Sequence, residues 1–184
     1  MSGRIIPESS NRQDWPRLVA QTINKHSREA GGFGWADYSD ASAGTGTAMT
    51  AGTALQITRT LAPTAANNRV RGPFLNWVFW DNAAHVIRPR RLYDVLAMSI
   101  YIKVTPGATG GNLVVALVAG TLEIASKAFP MTGVVGADMG LRVDFLTACR
   151  ATFLANGAKV MLTSTVSATL KEFSPEFYPL GYES

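Results

Sequence analysis

Two periods divide the chain. From Phe33 onward apolar and polar side chains alternate every second position, whereas before it they repeat at helical spacing. The clearest alternation spans 95–104, with Leu96, Met98, Ile100, Ile102 and Val104 on one face and Ala97, Ser99, Tyr101 and Lys103 on the other. That is the pattern of a half-buried antiparallel strand. Pro106-Gly107 and Gly110-Gly111-Asn112 supply a turn. The apolar run 113–119 predicts a strand covered on both faces, and Gly120-Thr121 predicts a tight hairpin into 122–129. Alternation resumes at 141–145, with Leu141, Val143 and Phe145 inward, and segments 159–166 and 169–173 predict a last hairpin. Earlier strands are expected at 33–38, 53–61, 74–80 and 84–88, the last two joined at Asp81-Asn82. About nine or ten short strands at this turn spacing predict an all-β fold, a jelly-roll-like antiparallel β-sandwich. Segment 147–157 has room for one helical turn. Pro175 and Pro179 cannot donate to a ladder, so 173–182 is expected to run along a sheet edge.

Ahead of the strands, Asp14 suits an N-cap and Pro16 the first helical turn, predicting a helix over 14–28 that stops at Gly31-Gly32. Trp15, Leu18, Val19 and Ile23 form its apolar stripe, and Arg17, Gln21, Lys25 and Arg28 its polar face. A helix of about 14 residues is marginal alone in water, so it needs a surface to pack on. The organisation expected is therefore an arm and docking helix at 1–32 and a β-sandwich domain at 33–184.

Composition sharpens this picture in one respect. The chain is 47% apolar but only 16% charged, against a typical ~25%. So pale a surface is expected to be partly covered, by a partner or by copies of the same chain. The net charge of +4 is spread thinly; residues 1–32 carry five basic side chains against three acidic. Specific nucleic-acid binding demands a denser basic stripe. No apolar run reaches the ~18 residues of a membrane span, and the N-terminal residues lack the apolar core of a signal peptide.

Catalytic equipment is sparse. The single Cys149 lies among apolar neighbours and reads as a buried small hydrophobe. His26 and His85 stand far apart without ligand spacing, so neither a metal site nor a cofactor is expected. The Gly/Ala/Ser/Thr-rich stretch 39–53 lacks the Lys-Ser/Thr ending of a phosphate loop and reads as a surface connection. Asp138, Asp144, Glu172 and Glu176 show no spacing that singles out a general acid/base pair, so no enzyme is expected. Two clusters remain as candidate interfaces. Arg69, Arg71, Arg88, Arg90 and Arg91 suit bidentate pairing with carboxylates. Trp77 and Trp80, in the aromatic stretch 74–80, are either core, subunit contact or a platform for sugar rings.

The short Asp14-Trp15-Pro16-Arg17-Leu18-Val19-Ala20 helix leading into a charge-poor β-domain resembles the small virion proteins of tailed bacteriophages. The resemblance implies a leading segment that docks on the particle through Trp15, Leu18, Val19 and Ile23, and a β-domain that projects as a trimer. It implies a portal, adaptor, tail or capsid protein as partner, and the virion as location. A fibre-like appendage is the leading form and a decoration protein cementing the head shell the alternative. A free carbohydrate-binding module using Trp77 or Trp80 is the alternative of another class.

Overall fold

The computed structural model describes residues 33–64 and 68–181. The expected helix at 14–28, with Trp15, Leu18, Val19 and Ile23, lies outside them. Twelve strands follow one another: β1 (Ala36–Asp40), β2 (Thr47–Met49), β3 (Ala54–Gln56), β4 (Leu61–Pro63), β5 (Trp80–Asp81), β6 (Val86–Ile87), β7 (Val95–Pro106), β8 (Gly111–Ala119), β9 (Leu122–Met131), β10 (Met139–Ala148), β11 (Lys159–Ser164) and β12 (Ala168–Gly181). One short helix, α1 (Ala151–Asn156), precedes β11, where a single helical turn was expected. A six-stranded sheet runs β10-β7-β12-β1-β4, with β2 also on β12; a four-stranded sheet runs β3-β11-β8-β9. From β7 the chain passes to the second sheet for β8 and β9, back for β10, across for β11 and back for β12. That alternation between two antiparallel sheets is a jelly-roll sandwich.

The period-two pattern explains the core. Leu96, Met98, Ile100, Ile102 and Val104 of β7 all point inward and are buried, facing Leu113, Val115, Leu117 and Ala119 of β8 across the sandwich. Each such side chain contributes about 1.5–3 kcal/mol by leaving water. The inward face of β10 is also as the alternation predicts, with Val143 and Phe145 buried and Leu141 packed against them. On β8 the second face is only partly covered, because Val114 and Val118 remain half-buried.

Four expectations fail, each for a physical reason. β11 and β12 do not form the expected last hairpin, because the chain crosses between them: β11 pairs with β3 and β8 in one sheet, β12 with β7 in the other. The segment 53–61 is not one strand: β3 pairs with β11 and β4 pairs with β1, so the chain changes sheets between them. At the crossing Arg59 is buried and reaches Asp40 at 3.6 Å, while its guanidinium donates to the carbonyls of Ser42, Thr45 and Leu170. Asp40 in turn accepts from the backbone N–H of Ser42 and Phe173. Segment 74–80 is not a strand either. Gly72-Pro73 starts a 3-10 turn over Gly72–Phe74, Asn76 takes a positive φ of 62°, and only Trp80 enters β5. Phe74, Phe79 and Trp80 are buried and plug one end of the sandwich, while Leu75 and Val78 stay exposed. Finally, the Pro-bearing C-terminal segment is not an edge. It is the second half of β12, which lies between β7 and β1. The prolines are accommodated because β1 pairs with β12 only at Phe177 and Glu176, the stretch between Pro175 and Pro179.

Candidate interaction surface at the arginine end

Register places most of the arginines at one end of the sandwich. Val95 of β7 lies opposite Ala148 of β10 and Gly181 of β12, and β1 enters beside them with Ala36 opposite Phe177. The chain leading into β1 runs beside residues 69–71, through Arg69 N–H to the Trp35 carbonyl at 2.8 Å and Arg71 N–H to the Phe33 carbonyl at 2.7 Å. The residues before Phe33 therefore join the domain at this end. A column of aromatic rings leads there from the core: Phe177 stacks on Phe79 at 5.2 Å, Phe79 on Phe74 at 6.2 Å, and Phe74 meets Phe33 at 5.3 Å. The Arg90 guanidinium lies 4.8 Å from the Phe74 ring centroid, in cation–π geometry.

The charges are unbalanced here. Arg88 binds Asp81 at 3.1 Å, and the Asp81 carboxyl is held below the usual range mainly by the Ala84 N–H, then by Arg88. Asp94 is buried, receives Arg90 at 3.3 Å and Arg91 at 3.5 Å, and also accepts the backbone N–H of Arg91. Arg69, Arg71 and Arg150 are exposed and face no carboxylate at ion-pair distance among the described residues. The five expected arginines thus share one end, and Arg150, unmarked in the sequence, joins them.

Between these charges the loops present large apolar side chains. Leu75, Val78, Leu92 and Tyr93 are exposed. Tyr93 holds a left-handed φ of 64°, fixed by its N–H to the Cys149 carbonyl and by the Cys149 N–H to the Asp94 carbonyl, both 2.8 Å. Sequence reasoning missed Leu92, Tyr93 and Asp94; the one available signal was an Arg-Arg-Leu-Tyr-Asp run ahead of a strong strand.

The tryptophan candidates do not lie on this surface as a pair. Trp80 is 1% exposed, packs on Phe173 at 5.3 Å and donates its indole N–H to the Arg59 carbonyl. Trp77 is half-buried and donates to the Arg88 carbonyl at 3.0 Å. A sugar platform of these two rings is not formed; both hold the end plug in place. Cys149 is buried, and burial followed by the Asp94 charge pushes its thiol up to about 11, so it carries no thiolate at neutral pH. Among the described residues no group of three or more His, Cys, Asp and Glu side chains converges to hold a metal ion.

The other titratable cluster lies on the outer face of the six-stranded sheet. Arg142 of β10 binds Glu176 of β12 at 3.0 Å and donates to Ser99 of β7, the Tyr178 hydroxyl donates to Glu176 at 2.6 Å, and Lys103 binds Glu172 at 2.9 Å. Asp144 of β10 and Glu176 of β12 flank Ser99 in one row across the sheet, and Asp138, ahead of β10, accepts from the Thr105 hydroxyl. Each glutamate is tied to a cation or hydroxyl, an arrangement that links strands.

No protein-family model matches the chain, and no curated protein sequence does. Solved structures do. The Eiger TNF from S. frugiperda superposes with a TM-score of 0.51 at 9% identity, covering 83% of this chain and 96% of that one. The vertex protein P5 of phage PRD1 superposes with a TM-score of 0.52 at 14% identity, covering 80% of this chain and 73% of that one. At such identities the likeness is one of fold, an all-β jelly-roll sandwich.

Proposed function

We propose that this chain is a non-enzymatic structural protein of a tailed-phage particle, anchored through residues 1–32 and projecting its β-domain as a homotrimer. The observation that carries the reading is the polarity of the sandwich. The end where the N-terminal segment joins gathers the arginines, beside the exposed Leu75, Val78, Leu92 and Tyr93, whereas the loops at the opposite end, 107–110, 132–138 and 165–167, expose Val134 and Val135 and carry only Asp138 as a charge. A domain so divided has an attached end and a free end. The jelly roll it shares with the PRD1 vertex protein is in keeping with a virion role. The polar ladder of Arg142, Glu176, Tyr178 and Ser99 binds sheet strands to one another and offers no acid/base pair facing a cleft. The test is location. Gradient-purified particles should contain the protein at fixed stoichiometry, and labelled antibody should place it on the tail or head fibre positions. Labelling spread over the whole shell would put the decoration role first, and absence from the particle would overturn the reading.

A further inference from the structure

We propose that the loops 71–78, 90–94 and 149–150 form a docking surface of the β-domain itself, and that its occupant is an acidic protein surface with an apolar recess. The inference rests on the particle reading only for the end of the domain that faces the partner. Nine large apolar side chains are exposed among the described residues, and four of them gather in two of these loops: Leu75 at 63%, Val78 at 56%, Leu92 at 39% and Tyr93 at 45%. The loops are tied into one surface. Arg88 N–H binds the Phe79 carbonyl at 2.8 Å, the Trp77 indole binds the Arg88 carbonyl, Arg90 lies over Phe74, and Tyr93 is tied to Cys149.

Two loop residues carry unusual backbone. Asn76 and Tyr93 both have positive φ, at 62° and 64°. Asparagine tolerates this conformation, but an aromatic residue does not adopt it readily. The Tyr93 N–H to the Cys149 carbonyl holds it there, and the buried Asp94 carboxylate closes the same turn by accepting the Arg91 N–H. In this turn Leu92 and Tyr93 are exposed, and strained residues concentrate at binding sites.

Charge selects the occupant. Asp81 and Asp94 are engaged by Arg88, Arg90 and Arg91, while Arg71 and Arg150, in the same loops as the apolar side chains or tied to them, are exposed. A partner must therefore bring carboxylates. Arginine and tyrosine are the side chains enriched at protein interfaces, where arginine pairs and the aromatic ring fills a recess. A phosphate backbone would satisfy the arginines but has nothing to place against Leu75, Val78 and Leu92, which favours protein over nucleic acid.

The experiment uses the full chain and two soluble probes of equal charge, polyglutamate and a random glutamate–tyrosine copolymer. The copolymer should bind saturably and about tenfold more tightly than polyglutamate, a difference of about 1.4 kcal/mol. Charge reversal in Arg71→Glu/Arg150→Glu should weaken both probes, and Leu92→Ser/Tyr93→Gly should abolish the preference for the copolymer, with the thermal melt retained in each variant. Equal binding of the two probes, indifference to charge reversal, or displacement by duplex DNA at matched charge would each overturn the proposal. So would a change of oligomeric state in Leu92→Ser, which would make the occupant a second copy. If the probes fail while the protein stays on purified particles, this surface is wrong and the particle reading stands; if the probes bind but the protein is absent from particles, the reverse holds.

Discussion

Single backbone positions carry the clearest test of strain. Tyr93 holds φ 64°, a conformation that costs a residue with a Cβ about 1–2 kcal/mol and glycine almost nothing. Because the ring is already 45% exposed, its removal loses little packing. Tyr93→Gly is therefore expected to be more stable than Tyr93→Ala by about 1 kcal/mol, read from paired urea melts; equal stabilities would show the turn unstrained. The opposite case is Gly157, at φ 70° and ψ −179°. A Cβ there would lie 2.9 Å from the Ile87 carbonyl oxygen and 2.6 Å from a Val86 methyl. Gly157→Ala should cost about 3 kcal/mol or more, by strain at a glycine-only conformation together with that clash. Cys149 gives a pH signature. Its thiol is raised from the unfolded value near 9.0 to about 11, so the unfolded chain ionises first as pH rises. Stability is intact below pH 9 and declines between pH 9 and about 11 through this group, with the buried Tyr38 and the Glu176-bonded Tyr178 adding their own decline above pH 10. Denaturation midpoints should fall across about pH 9–11 in the native sequence and less steeply in Cys149→Ala. Burial of Cys149 was legible from its apolar neighbours. The left-handed turn at Tyr93 was not, because it is held by a backbone hydrogen bond to Cys149, 56 residues away in the chain.

Strand-length patterns were read well wherever both faces obey one rule. The long strands β7, β8 and β10 fall where alternation or an apolar run marked them, because one face of each meets the core, and β9, mostly exposed, falls where the Gly120-Thr121 hairpin placed it. The failures lie where a segment serves the fold in another way. Segment 74–80 looked like a strand because its aromatics fill the end of the sandwich, and β12 looked like an edge because its prolines fit the short ladder with β1. The Asp40–Arg59 pair was illegible because Asp40 ends β1 while Arg59 lies in the crossing between β3 and β4, and its remaining partners, Ser42, Thr45, Leu170 and Phe173, are backbone groups. This pair fixes the 41–46 loop against β12, where the register shifts between Leu170 and Glu172. Removing one member leaves a buried charge without its counter-ion, a loss of about 3–5 kcal/mol. Asp40→Ala should therefore fall in that range, whereas Asp40→Ala/Arg59→Met should cost less than the sum of its two single variants, since the charge left stranded by either one is gone. Additive losses would show that the two side chains act separately.

At the scale of the whole molecule, the sparse charge seen in the composition has a counterpart in how the surface is divided. On the outer face of the six-stranded sheet Leu146 and Leu180 are exposed, and Leu146 lies opposite Ala97, itself opposite Tyr178. This apolar corner supports the proposed trimer, so Leu146→Glu should lower the mass in solution from three chains to one at micromolar concentration without lowering the melting temperature of the monomer unit; a native chain that is already monomeric would remove the trimer from the proposal. Anchoring is a separate matter. The buried side chains of the described residues run from Ala36 to Pro179, and deletion of residues 1–30 is expected to leave a cooperative circular-dichroism melt. Trp15 is the largest apolar side chain on the stripe with Leu18, Val19 and Ile23, and losing a buried aromatic anchor commonly costs about 2 kcal/mol or more of binding. Trp15→Ala should therefore lower occupancy on the particle, and the deletion should abolish it, while the arginine-end loops alone hold too weakly to keep the domain in place. If the truncated protein still co-sediments with particles at full occupancy, attachment lies in the β-domain, its arginine end becomes the principal contact, and the decoration role takes first place.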